Sequence, residues 1–461
     1  MPTSHSPVEL EWATATELAT SIRNGNVRAR DVLEAQIDRV EHWNPRLNAI
    51  VASDWKRARS AADSADLAIR QGAAVGPLHG VVMSVKDTID VQGMSSTAGS
   101  VSLAGRVADR DAESVRRLRS AGAIIGARSN APAFADDAQC DSDLYGRTNN
   151  PWDLSRTSGG SSGGAAAAVA AGLVPLELGS DMGGSLRIPA HFCGVAAHKP
   201  TEGMVPTDGH VPPPPGRPAF PDVLSVIGPI ARSVADLRIA MEVLAGRPVG
   251  GDRPDPSSRE RGRRRLGWSP NTVTTSSTEM RHVLEEVAQS AERAGFEVQE
   301  FPAGAFDLAG AGELHARIVE VVEGTWFGAT RPDYAAVVEL MTERQAFAEQ
   351  LDLELADVEA WMLPITPVGA PSHRPKLAAI EVDGEPRDYW DVLIGGCRPF
   401  NLTGNPATAL PVAIGSDGLP LGVQLVGRRW HDFALLDAAE ELERIVSFRH
   451  HPPLPREDGA P

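Results

Sequence analysis

The apolar positions of the chain predict helices that alternate with short buried strands. Between residues 14 and 43, apolar side chains recur at close to a 3.6-residue spacing on either side of the turn Asn24-Gly25-Asn26, which predicts two helices. The same spacing returns at residues 113–120, and largely apolar runs occur at 81–85 and 123–127. Such runs are typical of strands buried on both faces. We therefore expect an α/β fold with a largely parallel or mixed sheet.

The second half of the chain continues this alternation. Further helices are predicted at residues 278–294 and 334–355, and further strands at 266–268, 412–414 and 422–426. Residues 251–265 are rich in Pro, Ser and Arg, which predicts an exposed connection whose arginines face solvent. No repeat with a period of roughly 20 to 50 residues is visible, which disfavours solenoids and propellers.

Composition and charge exclude some classes of binding partner. The 461 residues are 42% apolar and 23% charged, as in an ordinary folded protein, and their net charge of −17 repels phosphate backbones and anionic lipids. We therefore expect no nucleic-acid partner and no membrane association. The sequence has no uncharged apolar stretch of roughly 18 residues, and its first residues lack a signal-peptide pattern. Three cysteines without a C-x-x-C pair favour a reduced, cytoplasmic protein.

The most unusual local feature is a glycine-serine turn at residues 157–164, which is followed by the small-residue run 165–171. A flexible linker is one interpretation, but linkers do not usually continue into an alanine-rich helix. A phosphate-binding loop is a second, but the required G-K-[ST] ending is absent. A third interpretation is a tight turn that presents serine hydroxyls at the start of a helix.

A second turn, at residues 179–185, supports the third interpretation. About ten helical residues rise ~15 Å, and a returning strand of about five residues covers ~17 Å, so the two turns can meet. Ser161 and Ser185 would then lie at one edge of the sheet, where α/β proteins place their sites. Gly183 and Gly184 allow close approach of a ligand, and unpaired amides from Met182 to Ser185 would form an oxyanion hole.

A serine nucleophile needs a base, and the chain offers two candidates. His79 lies before the apolar run, and no Asp is evidently placed to orient it. Lys86 lies at the end of that run, where burial would lower its pKa toward a neutral amine. The spacing of these residues does not decide between them.

Several ordered motifs resemble the amidase signature family. GPLHGV at 76–81 with SVKD at 84–87 resembles the lysine motif of that family, GGSSGG at 159–164 its first serine motif, and DMGGSLRIPA at 181–190 its nucleophile motif. Further matches are NNPWD at 149–153, KPTEG at 199–203, GPIARS at 228–233, GNPA at 404–407 and GLPLGVQL at 418–425. The resemblance covers roughly residues 14–446.

The resemblance implies α/β/α layers around a large mixed, twisted sheet. Residues 1–461 would form a single domain, with a helical N-terminal layer at about 14–70 and a more variable, substrate-covering region at about 250–370. No cofactor and no metal are expected. The chain would act as a monomer or homodimer on a small-molecule substrate.

The resemblance also implies roles for individual residues. Ser185 would be the nucleophile and Lys86 the neutral base. Ser161 would relay the proton between them after a cis peptide bond from Gly160. His79 would then be structural. The oxyanion donors would be the amides of the nucleophile motif, supported by the side chains within it; these residues are Met182, Gly183, Gly184 and Ser185 as donors and Asp181 and Arg187 as support.

Departures from the family pattern affect the expected substrate. Ala133 stands where the family often has an acidic residue, and Met182 where it often has Thr. His191 replaces a smaller residue, and we expect it to be a helix histidine with satisfied hydrogen bonds. The segments 134–145, 211–221 and 326–361 would set specificity. The candidate lining residues are Phe134, Trp326, Phe327, Met341 and Phe347, although amphipathic helices more often supply such residues to a core.

The function implied is hydrolysis of a carboxamide through a seryl acyl-enzyme, with esters and carbamates as further candidate substrates because all three pass through a tetrahedral oxyanion. The alternative is the glutaminase subunit of a tRNA-dependent amidotransferase, which shares the three motifs. A catalytically inactive scaffold is disfavoured because Lys86, Ser161 and Ser185 are all retained.

Overall fold

One mixed sheet of 11 strands forms the centre of the molecule. The computed structural model describes residues 10–216, 223–247, 264–301, 304–328 and 333–454. The strands of this sheet are β1 Ile50–Ser53, β2 Val82–Lys86, β3 Ile124–Ser129, β6 Leu176–Asp181, β7 Ala196–Lys199, β8 Val226–Ala231, β9 Arg265–Trp268, β10 Glu297–Glu300, β11 Ala360–Pro364, β14 Ala407–Ile414 and β15 Pro420–Val426. Their order across the sheet is β1-β3-β2-β6-β8-β7-β14-β15-β11-β9-β10.

Two short hairpins accompany the large sheet, and helices cover it. The hairpins pair β4 Asp141–Ser142 with β5 Gly146–Arg147, and β12 Ile380–Val382 with β13 Glu385–Arg387. The helices are α1 Ala15–Arg23, α2 Ala29–Leu47, α3 Trp55–Arg70, α4 Glu113–Ser120, α5 Gly163–Ala170, α6 Arg187–Cys193, α7 Val234–Leu244, α8 Thr278–Arg293, α9 Leu308–Trp326, α10 Tyr334–Glu354, α11 Tyr389–Leu393, α12 Arg398–Leu402 and α13 Asp432–Val446.

The helices form layers on opposite faces of the sheet, as expected for an α/β fold. Apolar residues of α4, α7, α8 and α13 pack with Met83 and Val85 of β2 on one face. Residues of α2, α5 and α6 pack together in a separate core with Ala127 of β3. The α/β/α arrangement predicted from the sequence is therefore confirmed.

Most of the predicted elements are present. The two N-terminal helices, the helix at 113–120 and the strands at both early apolar runs correspond to α1, α2, α4, β2 and β3. The later predictions correspond to α8, α10, β9, β14 and β15. The predicted exposed connection at 251–265 lies almost entirely outside the described residues. Helix α9 was not predicted, and it forms a wall of the site.

The topology places the ends of two adjacent strands together. β2 pairs in parallel with both β3 and β6, and β6 pairs antiparallel with β8. Parallel strands share the edge at which they end. The last residues of β2 and β6, which are Lys86 and Asp181, therefore reach the same edge of the sheet.

Helix α5 is built almost wholly from glycine and alanine, and all eight of its residues are buried. Small side chains let its backbone lie close to neighbouring segments. A Cβ added at Gly164 would come within 2.7 Å of the carbonyl oxygen of Ala49 and would also meet the backbone of Asn130. The sequence of α5 is thus set by close packing behind the first glycine-serine turn.

Gly164→Ala is expected to destabilise the protein by about 2 kcal/mol through overpacking, although alanine is the better helix former. The measurement is the free energy of unfolding in urea. Ala165→Gly at the adjacent position is the matched control, with an expected loss of about 1 kcal/mol from helix propensity. A more stable Gly164→Ala variant would contradict this account of α5.

Candidate active site

Lys86 lies at the end of β2 with its side chain fully buried. Its Nζ lies 2.7 Å from Oγ of Ser161 and 3.0 Å from Oγ of Ser180. Burial lowers the pKa of Lys86 to about 7, and the opposing effects of Cys140, Asp181 and Glu177 are smaller. At neutral pH a large fraction of Lys86 is therefore the uncharged amine, which can accept a proton.

A second ionisable side chain is buried beside Lys86. Glu177 of β6 accepts hydrogen bonds from the hydroxyls of Ser84 and Ser129. Burial raises the pKa of Glu177 to about 7, against the effect of these hydrogen bonds. Burial acts in opposite directions on the lysine and the glutamate because it disfavours the charged form of each.

Ser161 follows a cis peptide bond from Gly160. The backbone is crowded here, since a Cβ at Gly160 would lie 2.6 Å from the carbonyl oxygens of both Asp137 and Gln139. Only glycine fits at this position without a shift of those segments. The cis bond lies where the family resemblance places it.

The two glycine-serine turns meet, as their spacing predicts. The amide of Ser162 donates to the carbonyl oxygen of Ser185 over 3.2 Å. The hydroxyl of Ser162 donates to the carbonyl oxygen of Ser180 over 3.1 Å. Ser161 and Ser185 both line one cavity at this edge of the sheet.

An ion pair connects the two ends of residues 181–187, a segment named the nucleophile turn after the family motif that it resembles. Asp181 and Arg187 are both fully buried, and Arg187 donates two hydrogen bonds to the Asp181 carboxylate, from Nη2 over 3.0 Å and from Nε over 3.1 Å. The same guanidinium donates to Oδ1 of Asn401 over 2.6 Å and to Oε1 of Gln424 over 2.9 Å. The planar fork of arginine matches this set of acceptors, which an ammonium group would not.

The Asp181 carboxylate also binds the backbone of the turn itself. It accepts hydrogen bonds from the amide of Gly184 over 2.8 Å and from the amide of Leu186 over 3.0 Å. Burial alone would raise the pKa of Asp181, but the charge and hydrogen bonds of Arg187 outweigh burial and hold that pKa well below its usual range. The carboxylate therefore stays ionised and keeps the turn in one shape.

The bond from Gly184 corrects the predicted set of oxyanion donors. The prediction was that the amides from Met182 to Ser185 are all unpaired, but the Gly184 amide is used by Asp181. The amides of Met182, Gly183 and Ser185 have no acceptor among the described residues. Gly184 instead provides backbone freedom, with φ of +121°, where a Cβ would lie 2.6 Å from Cδ1 of Ile188.

His315 of α9 holds the other side of the turn. Its Nε2 donates to the carbonyl oxygen of Met182 over 2.7 Å, and the side chain is buried. Burial lowers the pKa of His315 to about 4, so the imidazole is neutral. Because a trans peptide unit directs its C=O and N–H to opposite sides, this bond also fixes the direction of the Gly183 amide.

The cavity has a volume of about 400 Å³. Phe134 and Trp326 line it as expected, and Phe134 makes an edge contact with Phe327 at 5.4 Å between ring centroids. The other candidates, Phe327, Met341 and Phe347, are not among the residues that line this cavity. Met341 and Phe347 pack against the apolar core that α9 and α10 share. Its lining residues include Phe134, Asp136, Asp137, Ser161, Met182, Gly183, Ser185, His210, Pro212, His315, Val319, Glu320, Glu323, Trp326, Trp390, Ile394 and Arg398.

The two histidines singled out from the sequence have structural partners. His79 precedes β2, at the opposite end of the strand from Lys86, and its Nε2 lies 3.1 Å from the carbonyl oxygen of Ala65. His191 accepts from the amide of Gly422 over 2.7 Å and donates to the carbonyl oxygen of Val368 over 3.0 Å. Both ring nitrogens of His191 are thus satisfied, as expected.

Sequence reasoning missed several residues of the site. Asn401 and His315 lie outside every motif, and nothing in their local sequence indicates contact with the nucleophile turn. Gln424 did give a signal, because it is a polar residue within the apolar strand at 422–426. Ser180 lies inside the second turn, but its bond to Lys86 depends on the meeting of β2 and β6.

In the described ranges, no cluster of three or more His, Cys, Asp or Glu side chains is arranged to hold a metal ion. None of the helices that the structure describes combines the length and the apolar character needed to cross a bilayer. The three cysteines are buried and free.

Comparison with known proteins identifies the family. The sequence profile of the family described as Amidase matches residues 31–319 and 318–436. An indoleacetamide hydrolase from Bradyrhizobium diazoefficiens is 33% identical over 96% of this chain and 88% of its own length. A glutamyl-tRNA(Gln) amidotransferase chain from Moorella thermoacetica is 31% identical over 97% of this chain and 99% of its own length.

The fold comparison agrees with the sequence comparison. The structure of a 6-aminohexanoate cyclic dimer hydrolase superposes with a TM-score of 0.81 and 27% identity, over 97% of this chain and all of the other. The fold, the cavity and these relatives together define the class of protein as a hydrolase of α/β architecture. Serines and a buried lysine lie together at one edge of its sheet. The chain belongs to the Amidase family, and the relatives that it resembles include hydrolases of amide bonds other than peptide bonds.

Asp181→Asn is expected to lower the free energy of unfolding by about 3–5 kcal/mol, because it leaves the Arg187 charge buried without a counter-ion. Urea unfolding of the purified variant measures this loss. The double variant Asp181→Asn with Arg187→Met removes the unpaired charge and should recover part of the loss. Additive losses in the double variant would show that the ion pair does not hold the turn.

Proposed function

We propose that this protein is a stand-alone amidase that hydrolyses carboxamides through a seryl acyl-enzyme. The observation that carries the proposal is the 2.7 Å contact between Lys86 Nζ and Ser161 Oγ, with Ser161 and Ser185 lining one cavity. A buried lysine with a pKa of about 7 is an unusual base that suits this chemistry. Esters and carbamates are further substrates of the same mechanism.

In the proposed acylation step, Ser185 Oγ attacks the substrate carbonyl carbon. Its proton passes to Ser161, whose own proton passes to the neutral Nζ of Lys86. Negative charge on the carbonyl oxygen is stabilised by the unpaired backbone amides of the nucleophile turn. As the C–N bond breaks, the proton returns through Ser161 to the leaving amine.

Deacylation repeats the sequence with water in place of the amine. Water loses its proton through Ser161 to Lys86 as it attacks the acyl-enzyme, and Ser185 recovers a proton when the acid leaves. All proton transfers therefore run through one serine and one lysine. The roles of Ser185, Ser161 and Lys86 follow the family motifs and remain part of this proposal.

The walls of the cavity favour a small amide with an apolar portion. Phe134, Val319, Trp326 and Ile394 supply apolar surface, which suits an aryl or alkyl group. The relative from Bradyrhizobium diazoefficiens bears the name of a hydrolase of an aryl-substituted amide. An aryl or alkyl carboxamide is thus the substrate class that we propose.

The glutaminase subunit of a tRNA-dependent amidotransferase is the second candidate, because the amidotransferase chain from Moorella thermoacetica is 31% identical to this protein. Glutamine has polar or charged groups at both ends of a short stem, whereas much of the cavity wall is aromatic or aliphatic. This difference favours the stand-alone amidase.

The purified chain is expected to hydrolyse a chromogenic aryl amide or ester without ATP or a second protein. A fluorophosphonate should label Ser185, as located by peptide mass spectrometry, and Ser185→Ala should lower kcat by at least about 10⁴-fold. Activity that is strictly dependent on glutamine and on an added partner protein would favour the second candidate. Labelling confined to another serine would overturn the assignment of the nucleophile.

Lys86→Ala is expected to lower kcat by about 10²–10⁴-fold, as for loss of a general base. In the unaltered protein the rate should rise as pH increases through about 7, because Lys86 must lose its proton to act, and should persist at alkaline pH. A histidine base would titrate near ~6.5, so the pH profile alone cannot separate the two.

His79→Ala is the control that separates them, since His79 contacts a helix carbonyl and not the serines. It should retain turnover with at most a loss of stability. An inactive His79→Ala together with an active Lys86→Ala would disprove the proposed mechanism.

A further inference from the structure

One face of α9 lines the cavity and carries a carboxylate without a partner. His315, Val319, Glu323 and Trp326 are spaced at intervals of three or four residues, which places them along one side of the helix. Glu323 is half-buried, and within the described chain its side chain makes no hydrogen bond and no ion pair. The substrate cavity thus contains an uncompensated negative charge.

The other charged groups of the cavity do not neutralise Glu323. Asp136 is paired with Lys376 at 2.9 Å, and Asp137 accepts a hydrogen bond from the hydroxyl of Tyr389. Glu320 is exposed and is also negative. Arg398 is the single Lys or Arg side chain among the described lining residues, and it is paired with Asp391 at 3.0 Å.

The surroundings make the unpaired charge costly. Burial raises the pKa of Glu323, the nearby charge of Asp136 raises it further, and Lys376 only partly opposes these effects. A positive group placed beside the carboxylate would remove this cost, because a half-buried charge gains more from a counter-ion than an exposed one.

The residue one turn beyond Glu323 points to the same kind of ligand. Trp326 is 4% exposed, and its ring lines the cavity. An indole ring is the strongest aromatic partner for an organic cation. A carboxylate and an indole on adjacent turns of one helix are the groups that a protonated amine on an apolar stem would contact.

We propose that Glu323 makes this cavity selective for amides that carry a protonated amine on their acyl or amine portion, an inference that rests on the proposed amidase function. The acidic surroundings disfavour substrates with a free carboxylate, including α-amino acids, because their negative charge would face Glu320 and Glu323. Apolar walls contact the stem, and Glu323 binds the ammonium group.

The test measures inhibition of chromogenic amide hydrolysis by phenylalkylammonium ions and by the matched phenylalkanols, in which a hydroxyl replaces the ammonium group. The ammonium compounds are expected to inhibit about tenfold more strongly than the alcohols. Glu323→Gln should remove this difference, and an unchanged midpoint of urea unfolding should show that the variant is folded. Glu320→Gln is the matched control for loss of a nearby exposed carboxylate and should keep most of the difference.

The same comparison by titration calorimetry with Ser185→Ala protein measures binding without turnover, and so separates this inference from the proposed function. Protein that hydrolyses anilides but binds both ligand series equally would overturn the selectivity alone. So would equal effects of Glu323→Gln and Glu320→Gln. Selective ammonium binding by protein that hydrolyses no amide or ester would instead count against the proposed function.

Discussion

The geometry of the site depends on the buried ion pair between Asp181 and Arg187. These residues flank the nucleophile turn, and their hydrogen bonds connect it to Asn401 and Gln424 from the distant end of the chain. A turn that contains two adjacent glycines has many accessible conformations. Removing two charges from water is costly, but the bidentate contact and the further hydrogen bonds offset that cost. The ion pair thus converts a flexible sequence into a fixed set of backbone donors.

Burial has opposite consequences for two charged groups at the same edge of the sheet. Lys86 has no carboxylate in direct contact and loses its charge readily, whereas Asp181 has a guanidinium partner and keeps its charge. Separated pKa values of this kind let one site contain both a proton acceptor and a permanent anion. In the proposed mechanism the serine hydroxyls at this edge pass protons on without holding a permanent charge. The proposed chemistry therefore relies on which buried group has a partner.

Local patterns were sufficient for the parts of the fold that are formed by neighbouring residues. The apolar runs that became β2 and β3, and the helix-strand return between the two turns, follow from spacing and strand length. Lys86 could be placed at a strand end, but its contact with Ser180 required the pairing of β2 with β6. Asn401 and His315 could not be found in this way, because each reaches the turn from more than 100 residues away in the chain. The opposite error arose for Met341 and Phe347, which the sequence offered as cavity residues. Both lie on α10 and pack against the core instead.

Helix α9 contacts both the backbone of the nucleophile turn, through His315, and the far wall of the cavity, through Glu323 and Trp326. Inserting or deleting one residue between these positions would rotate one part relative to the other by about 100°. A change of substrate by a single-residue insertion would then move either the wall or the turn contact out of place. Divergence of specificity on this helix is therefore restricted to point substitutions, or to length changes of about seven residues that restore the face. The contact between His315 and the turn thereby fixes the number of residues that separate it from the substrate-facing residues of the same helix.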